Sequence, residues 1–346
     1  MTSDPLARFL NLRSARYQRR GKLRPMNSSE LSDVAVSVYQ QLGGTILRHT
    51  AVPTIFCLAA VVFITTYVLP SFGVTSHPDD VKAQIGEAVS FLAIGVAVGT
   101  PLFIIGLGYS SAFITGVVSD FMTGGIPDSR EAAQSGRKNL PRLCGLIVFQ
   151  TLSAGSILII SGLLFLASAM FTMSSDSLGA TTATTGLGFL ALIVGAVAVP
   201  LVLSRQILAV PIMVRENLGA RDVLKRCKEL LKAYGNQPSG YSHAGSIFFL
   251  TALIGLFVLG GLSFCFGALD LRSHFSAWLA GSPFLDYVLQ AVEYLPMFFA
   301  LWLTIPIWAS SATILYYERR ARLEGYDIEA LAADVLQHAK QNRFEL

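Results

Sequence analysis

The sequence predicts an all-α integral membrane protein: six transmembrane helices with cytoplasmic amphipathic helices, arranged as a threefold helix–span–span repeat. Three observations predict it. First, of 346 residues 53% are hydrophobic and only 14% charged, and the mean hydropathy is +0.56. Soluble domains carry about 25% charged residues, and a compact soluble fold this poor in charge would expose an apolar, aggregating surface. Second, Asp, Glu, Lys and Arg are absent from 49–78, 88–119, 143–175, 177–204, 233–269 and 294–317. Each window exceeds the ~20 residues a helix needs to cross the hydrocarbon core. Third, the basic residues between these windows sort to one side.

The first element is a basic arm over 1–27, expected to be disordered. It holds seven basic residues from Arg8 to Arg24 and no acid among them. Such a run can bind nucleic acid. With a span close behind it, anionic lipid is the expected counter-ion and no nucleic acid is expected. The arm is not read as a cleavable signal, because the first apolar run is already a full span. The membrane domain follows over 28–325, with span cores at 51–69, 90–116, 144–171, 186–206, 246–268 and 294–316. These runs do not alternate, which excludes barrel strands. A cytoplasmic helix and tail complete the chain over 326–346.

Orientation comes from the 26 Lys and Arg residues, of which 23 fall in the N-terminal segment, the second-to-third loop, the fourth-to-fifth loop and the C-terminal tail. The opposite loops hold only Lys82 and Arg272, and they carry Asp79, Asp80, Glu87, Asp176, Asp270, Asp286 and Glu293. The positive-inside rule places both termini in the cytoplasm, and an even span count requires them on one side. The expected location is the cytoplasmic (inner) membrane.

An amphipathic segment precedes each pair of spans, at 29–50, 128–143 and 220–235. The even spans carry interior prolines: Pro101, Pro200, and the pair Pro296 and Pro306. Proline removes a helix hydrogen bond and kinks the span. This alternation is the basis for the threefold unit. The third segment is the clearest. Val214, Leu218, Val223, Leu224, Leu231 and Tyr234 recur at near-helical spacing. Arg221, Lys225, Arg226, Lys228 and Lys232 supply its polar face. Such a helix either lies in the inner headgroup layer against anionic lipids or docks a membrane or cytoplasmic protein partner.

The end of the last span carries a second pattern. Tyr316, Tyr317, Arg320, Arg322, Glu324, Gly325, Tyr326 and Asp327 fit the series Tyr-Tyr-Asp-hydrophobic-Arg-x-Arg-x-Glu-Gly-Phe/Tyr-Asp, with Glu318 in place of the Asp and Arg319 in place of the apolar residue. Pro211, Glu216 and Gly219, followed by Leu224, Arg226 and Leu230, give a further match. Together these segments resemble the six-span membrane domain found in some bacterial glycerophosphoryl diester phosphodiesterases, and in multi-pass proteins that lack the catalytic domain. The resemblance covers roughly 28–332 and implies the six-span fold without phosphodiesterase chemistry. Read locally, Gly325 supplies a left-handed residue that ends the sixth helix, and Asp327 caps a tail helix running to about Gln341. Arg320 and Glu324 are i, i+4 neighbours. Tyr316 and Tyr317 are expected in the inner aromatic belt.

No catalytic or metal-binding residue is assigned, and no cofactor is expected. His49, His77, His243, His274 and His338 are scattered over both sides, and no HxxxH, HExxH, GxSxG, Walker A or GxGxxG is present. Cys57, Cys144, Cys227 and Cys265 form no CxxC pair and read as small buried hydrophobes. The residues imply a non-enzymatic scaffold, anchor or accessory subunit of a membrane complex. The alternative is a transporter or lipid-handling permease with a pathway lined by the proline-broken even spans.

Overall fold

The computed structural model describes residues 26–63, 81–125, 127–174, 178–232, 240–268 and 292–325. The described residues form eight long or short helices and no strand: α1 Ser28–Phe63, α2 Val81–Met122, α3 Ser129–Ser174, α4 Leu178–Ser204, α5 Ala209–Glu216, α6 Ala220–Leu231, α7 Gly240–Ala268 and α8 Leu295–Glu324. Among the described residues, six helices are long and apolar enough to cross a membrane. The arm before residue 26 and the tail helix, with Tyr234, Tyr326 and Asp327, lie outside the described residues.

Helix boundaries differ from the sequence expectation in two places. The segments 29–50 and 128–143 are not separate amphipathic helices. Each runs without a break into its span, giving helices of 36 and 46 residues. Pro53 and Pro141 therefore lie inside α1 and α3, so interior proline is not confined to the even spans. The second difference is the end of α4. The helix stops at Ser204, and a turn through Arg205–Leu208 leads into α5. Gln206 N–H donates to the Leu203 carbonyl at 3.0 Å, a tightened last turn.

The chain divides into two compact units. The first comprises 1–29, 141–248 and 312–346. In it, Gln150 Nε2 donates to the Gln206 carbonyl at 3.2 Å, and Gln206 Nε2 to Ser153 Oγ at 3.4 Å. These bonds tie the α4–α5 turn to α3, and the Gln206 carbonyl also accepts from the Ala209 N–H at 3.0 Å. Helix α5 buries Ala209, Val210, Pro211, Ile212 and Met213, and ends on Asn217 at φ 54°. Arg142 Nη1 donates to the Asn217 side-chain oxygen. Gly219 then starts α6 in an extended conformation, and α6 buries Val223, Cys227, Leu230 and Leu231. That i, i+4, i+7, i+8 stripe is one helix face.

The second unit comprises 30–140 and 249–311. Its core is built on close helix contact at small residues. Gly106 of α2 faces the Pro53 carbonyl and Cys57 of α1, Gly116 faces Ala132 of α3, and Gly255 of α7 faces Thr304 of α8. Hydroxyls close on their own helices: Thr50 Oγ1 donates to the Ile46 carbonyl at 2.9 Å and Thr54 Oγ1 to Thr50 at 2.7 Å. Trp302 Nε1 donates to the Leu47 carbonyl at 2.9 Å and ties α8 to α1.

Candidate functional site

The first unit gathers Glu216 and Arg226 of one sequence pattern and Tyr316, Arg320 and Glu324 of the other into one ring. Glu216, at the end of α5, accepts from Arg226 Nε at 3.2 Å through one oxygen and from the Tyr316 hydroxyl at 3.0 Å through the other. Arg226 Nη2 donates to Glu324. The second oxygen of Glu324 accepts from Arg320 Nε at 2.8 Å. Arg320 Nη1 reaches back to the Tyr316 hydroxyl at 3.3 Å and closes the circuit. Two arginines and two glutamates make the ring neutral, and every carboxylate oxygen in it is used.

The local folding of each segment explains the convergence. The left-handed Asn217 reverses the chain so that α6 packs on α5. Arg226 then sits beside Glu216, ten residues earlier. On α8, Tyr316, Arg320 and Glu324 are spaced by four and occupy one face. Burial disfavours the Arg226 guanidinium, but the Glu324 and Glu216 carboxylates outweigh it and hold Arg226 charged. Beside the ring, burial and then the Glu216 charge push the Cys227 thiol up to about 12.

A second layer lies one helix face away. Glu318 and Arg319 are fully buried. Arg322 Nε donates to Glu318 at 2.6 Å, and Arg322 Nη2 to the Met26 carbonyl at 3.0 Å. Gly240 packs directly on Arg319, where a Cβ would lie 2.7 Å from Nε. Glu318 and Arg319 are the two departures from the closing pattern. The acid at Glu318, four residues before Arg322, is the signal for this pair that the sequence offers.

The remaining sequence-selected residues fall into three groups. Pro211 is buried in α5, Gly219 caps α6, and Gly325 follows α8 at φ 64°. Tyr316 and Tyr317 are not belt residues facing an interface. They are 0% and 3% exposed and pack edge to face at 5.1 Å, because the Tyr316 hydroxyl has a carboxylate partner inside. Of the basic set, Arg221, Lys225, Lys228 and Lys232 are exposed. Arg226 is not on that surface: it turns into the ring, where two carboxylates compete successfully with solvent.

Among the described residues, no three of His, Cys, Asp and Glu converge as a metal site. No protein-family model, curated protein or solved structure matches the chain.

Proposed function

We propose that this chain is a non-enzymatic, multi-pass protein of the cytoplasmic membrane, with both termini in the cytoplasm, that serves as a scaffold, anchor or accessory subunit. It belongs, on this reading, with the six-span membrane domain its patterns resemble, built from three units of an amphipathic segment and two spans, the first two segments continuous with their spans. The closed ring is the observation that carries the proposal. Its ionisable groups neutralise one another and fasten α5 and α6 to the end of α8. What remains is a set of four exposed basic side chains outside the ring, Arg221, Lys225 and Lys228 on α6 and Lys232 at its C-terminal cap. A fixed basic face of this kind suits anionic headgroups or an acidic protein surface.

The test replaces those four residues with Gln and leaves the ring intact. Exposed charges contribute little to folding, so the thermal midpoint in detergent stays where it was. Each basic residue near an anionic leaflet contributes about 1 kcal/mol. The variant purified in mild detergent therefore retains several-fold less anionic lipid, or loses a protein that co-purifies with the parent, and the difference shrinks at high salt. An unchanged set of lipids and proteins overturns the proposal.

A further inference from the structure

The second unit holds a cavity of about 410 Å³ between α1, α2 and α3, within the ~300–1,000 Å³ usual for small-ligand sites. Val52, Phe56 and Ile105 form its apolar wall, and all three are exposed. Its polar groups are His49, Tyr109 and Arg137, with no acidic residue lining it. These three share one end. In α1, His49 precedes Phe56; in α2, which runs the opposite way, Tyr109 follows Ile105; in α3, Arg137 precedes Leu140. Every helix thus places its polar residue toward the segments that carry Arg48, Arg130 and Lys138, and its apolar residues toward the span.

The His49 ring is held in place. Its Nδ1 bonds the Thr45 carbonyl at 3.0 Å, and the ring stacks on Phe113 at 4.9 Å. The other ring nitrogen has no hydrogen bond among the described residues. The Arg137 guanidinium is exposed and has no ion-pair partner among the described residues. Gly106 lets α2 close on Pro53 at the cavity floor.

We infer that this cavity is a binding site for one anionic phospholipid: the phosphate on Arg137, with His49 and Tyr109 beside it, and an acyl chain along Val52, Phe56 and Ile105. The inference rests on the six helices being spans, and is independent of what the basic face of α6 binds.

Native mass spectrometry of the full chain tests it, with phosphatidylglycerol and phosphatidylcholine of identical acyl chains as probes. The parent protein retains one phosphatidylglycerol with a preference of about tenfold, as a charge-assisted bond in a half-dry site supplies. Arg137→Gln abolishes the preference while leaving weak binding of both lipids. Ile105→Trp, which fills the apolar wall, removes both. An unchanged thermal midpoint in each variant excludes misfolding, since both side chains are exposed. The inference is overturned if Arg137→Gln keeps the preference, if Ile105→Trp keeps the lipid, or if inorganic phosphate competes as well as the intact lipid does.

Discussion

Arg226→Ala is expected to destabilise the protein by about 2 kcal/mol and to expose Cys227. Removing the guanidinium leaves Glu216 and Glu324 facing one another without their shared cation. Exposed ion pairs contribute about 0–1 kcal/mol, whereas stripping one partner from a buried pair costs about 3–5 kcal/mol. The ring lies between these limits, since the Arg226, Glu216 and Glu324 side chains are 27%, 18% and 26% exposed. Arg226→Lys keeps the charge but not the fork that reaches two carboxylates, so its loss is intermediate. Cys227 provides an independent readout. It is buried, and its thiol is held at about 12, so maleimide labels it slowly at pH 8. A loss of about 2 kcal/mol raises the open population roughly 30-fold, and labelling speeds up accordingly. Combined with Glu324→Gln, the substitution should be less damaging than the two single effects added, because both remove the same contact. Full additivity and unchanged labelling would show that the ring does not hold α6.

Gly106→Ala is the second large effect. A Cβ there would meet the Pro53 carbonyl oxygen at 2.5 Å, Cys57 Sγ at 2.7 Å and Cys57 N at 3.1 Å. Two of those atoms are backbone, so relief requires α1 and α2 to separate. Overpacking of this kind costs about 1–3 kcal/mol. Gly145→Ala is the matched control. Nothing lies within 4 Å of its Cβ position, and alanine in a helix interior gains about 0.5–1 kcal/mol over glycine. Thermal midpoints in one detergent should therefore move in opposite directions. Equal midpoints would contradict the close approach of α1 and α2.

The spans were legible because hydrocarbon excludes charge, and each charge-free window is longer than one crossing. Their ends were less so. Gly43 and Gly44 do not break α1, and the amphipathic segment and the span form one continuous helix. The α4–α5 turn has no proline or glycine between Leu201 and Leu208 to announce it. It is held by Gln150, 56 residues before its partner Gln206, a distance that local pattern does not reach. The same holds for the ring. Its five members were all selected from sequence, as parts of two separate patterns. That Glu216 and Tyr316, 100 residues apart, share a hydrogen bond depends on how α5 and α8 pack. Arg226 is consequently grouped with its four basic neighbours as a membrane-surface or partner residue, although the spacing of 221, 225, 228 and 232 leaves it off their common face.

The most direct test of the account is the side of the membrane on which α6 lies. With Cys57, Cys144, Cys227 and Cys265 replaced by Ser or Ala, a single cysteine is introduced at Lys228 or at Asp80. A membrane-impermeant maleimide is then applied to intact cells and to permeabilised cells. Asp80→Cys is expected to be labelled in intact cells, and Lys228→Cys only after permeabilisation. Labelling of Lys228→Cys in intact cells would place the basic face outside and contradict the account.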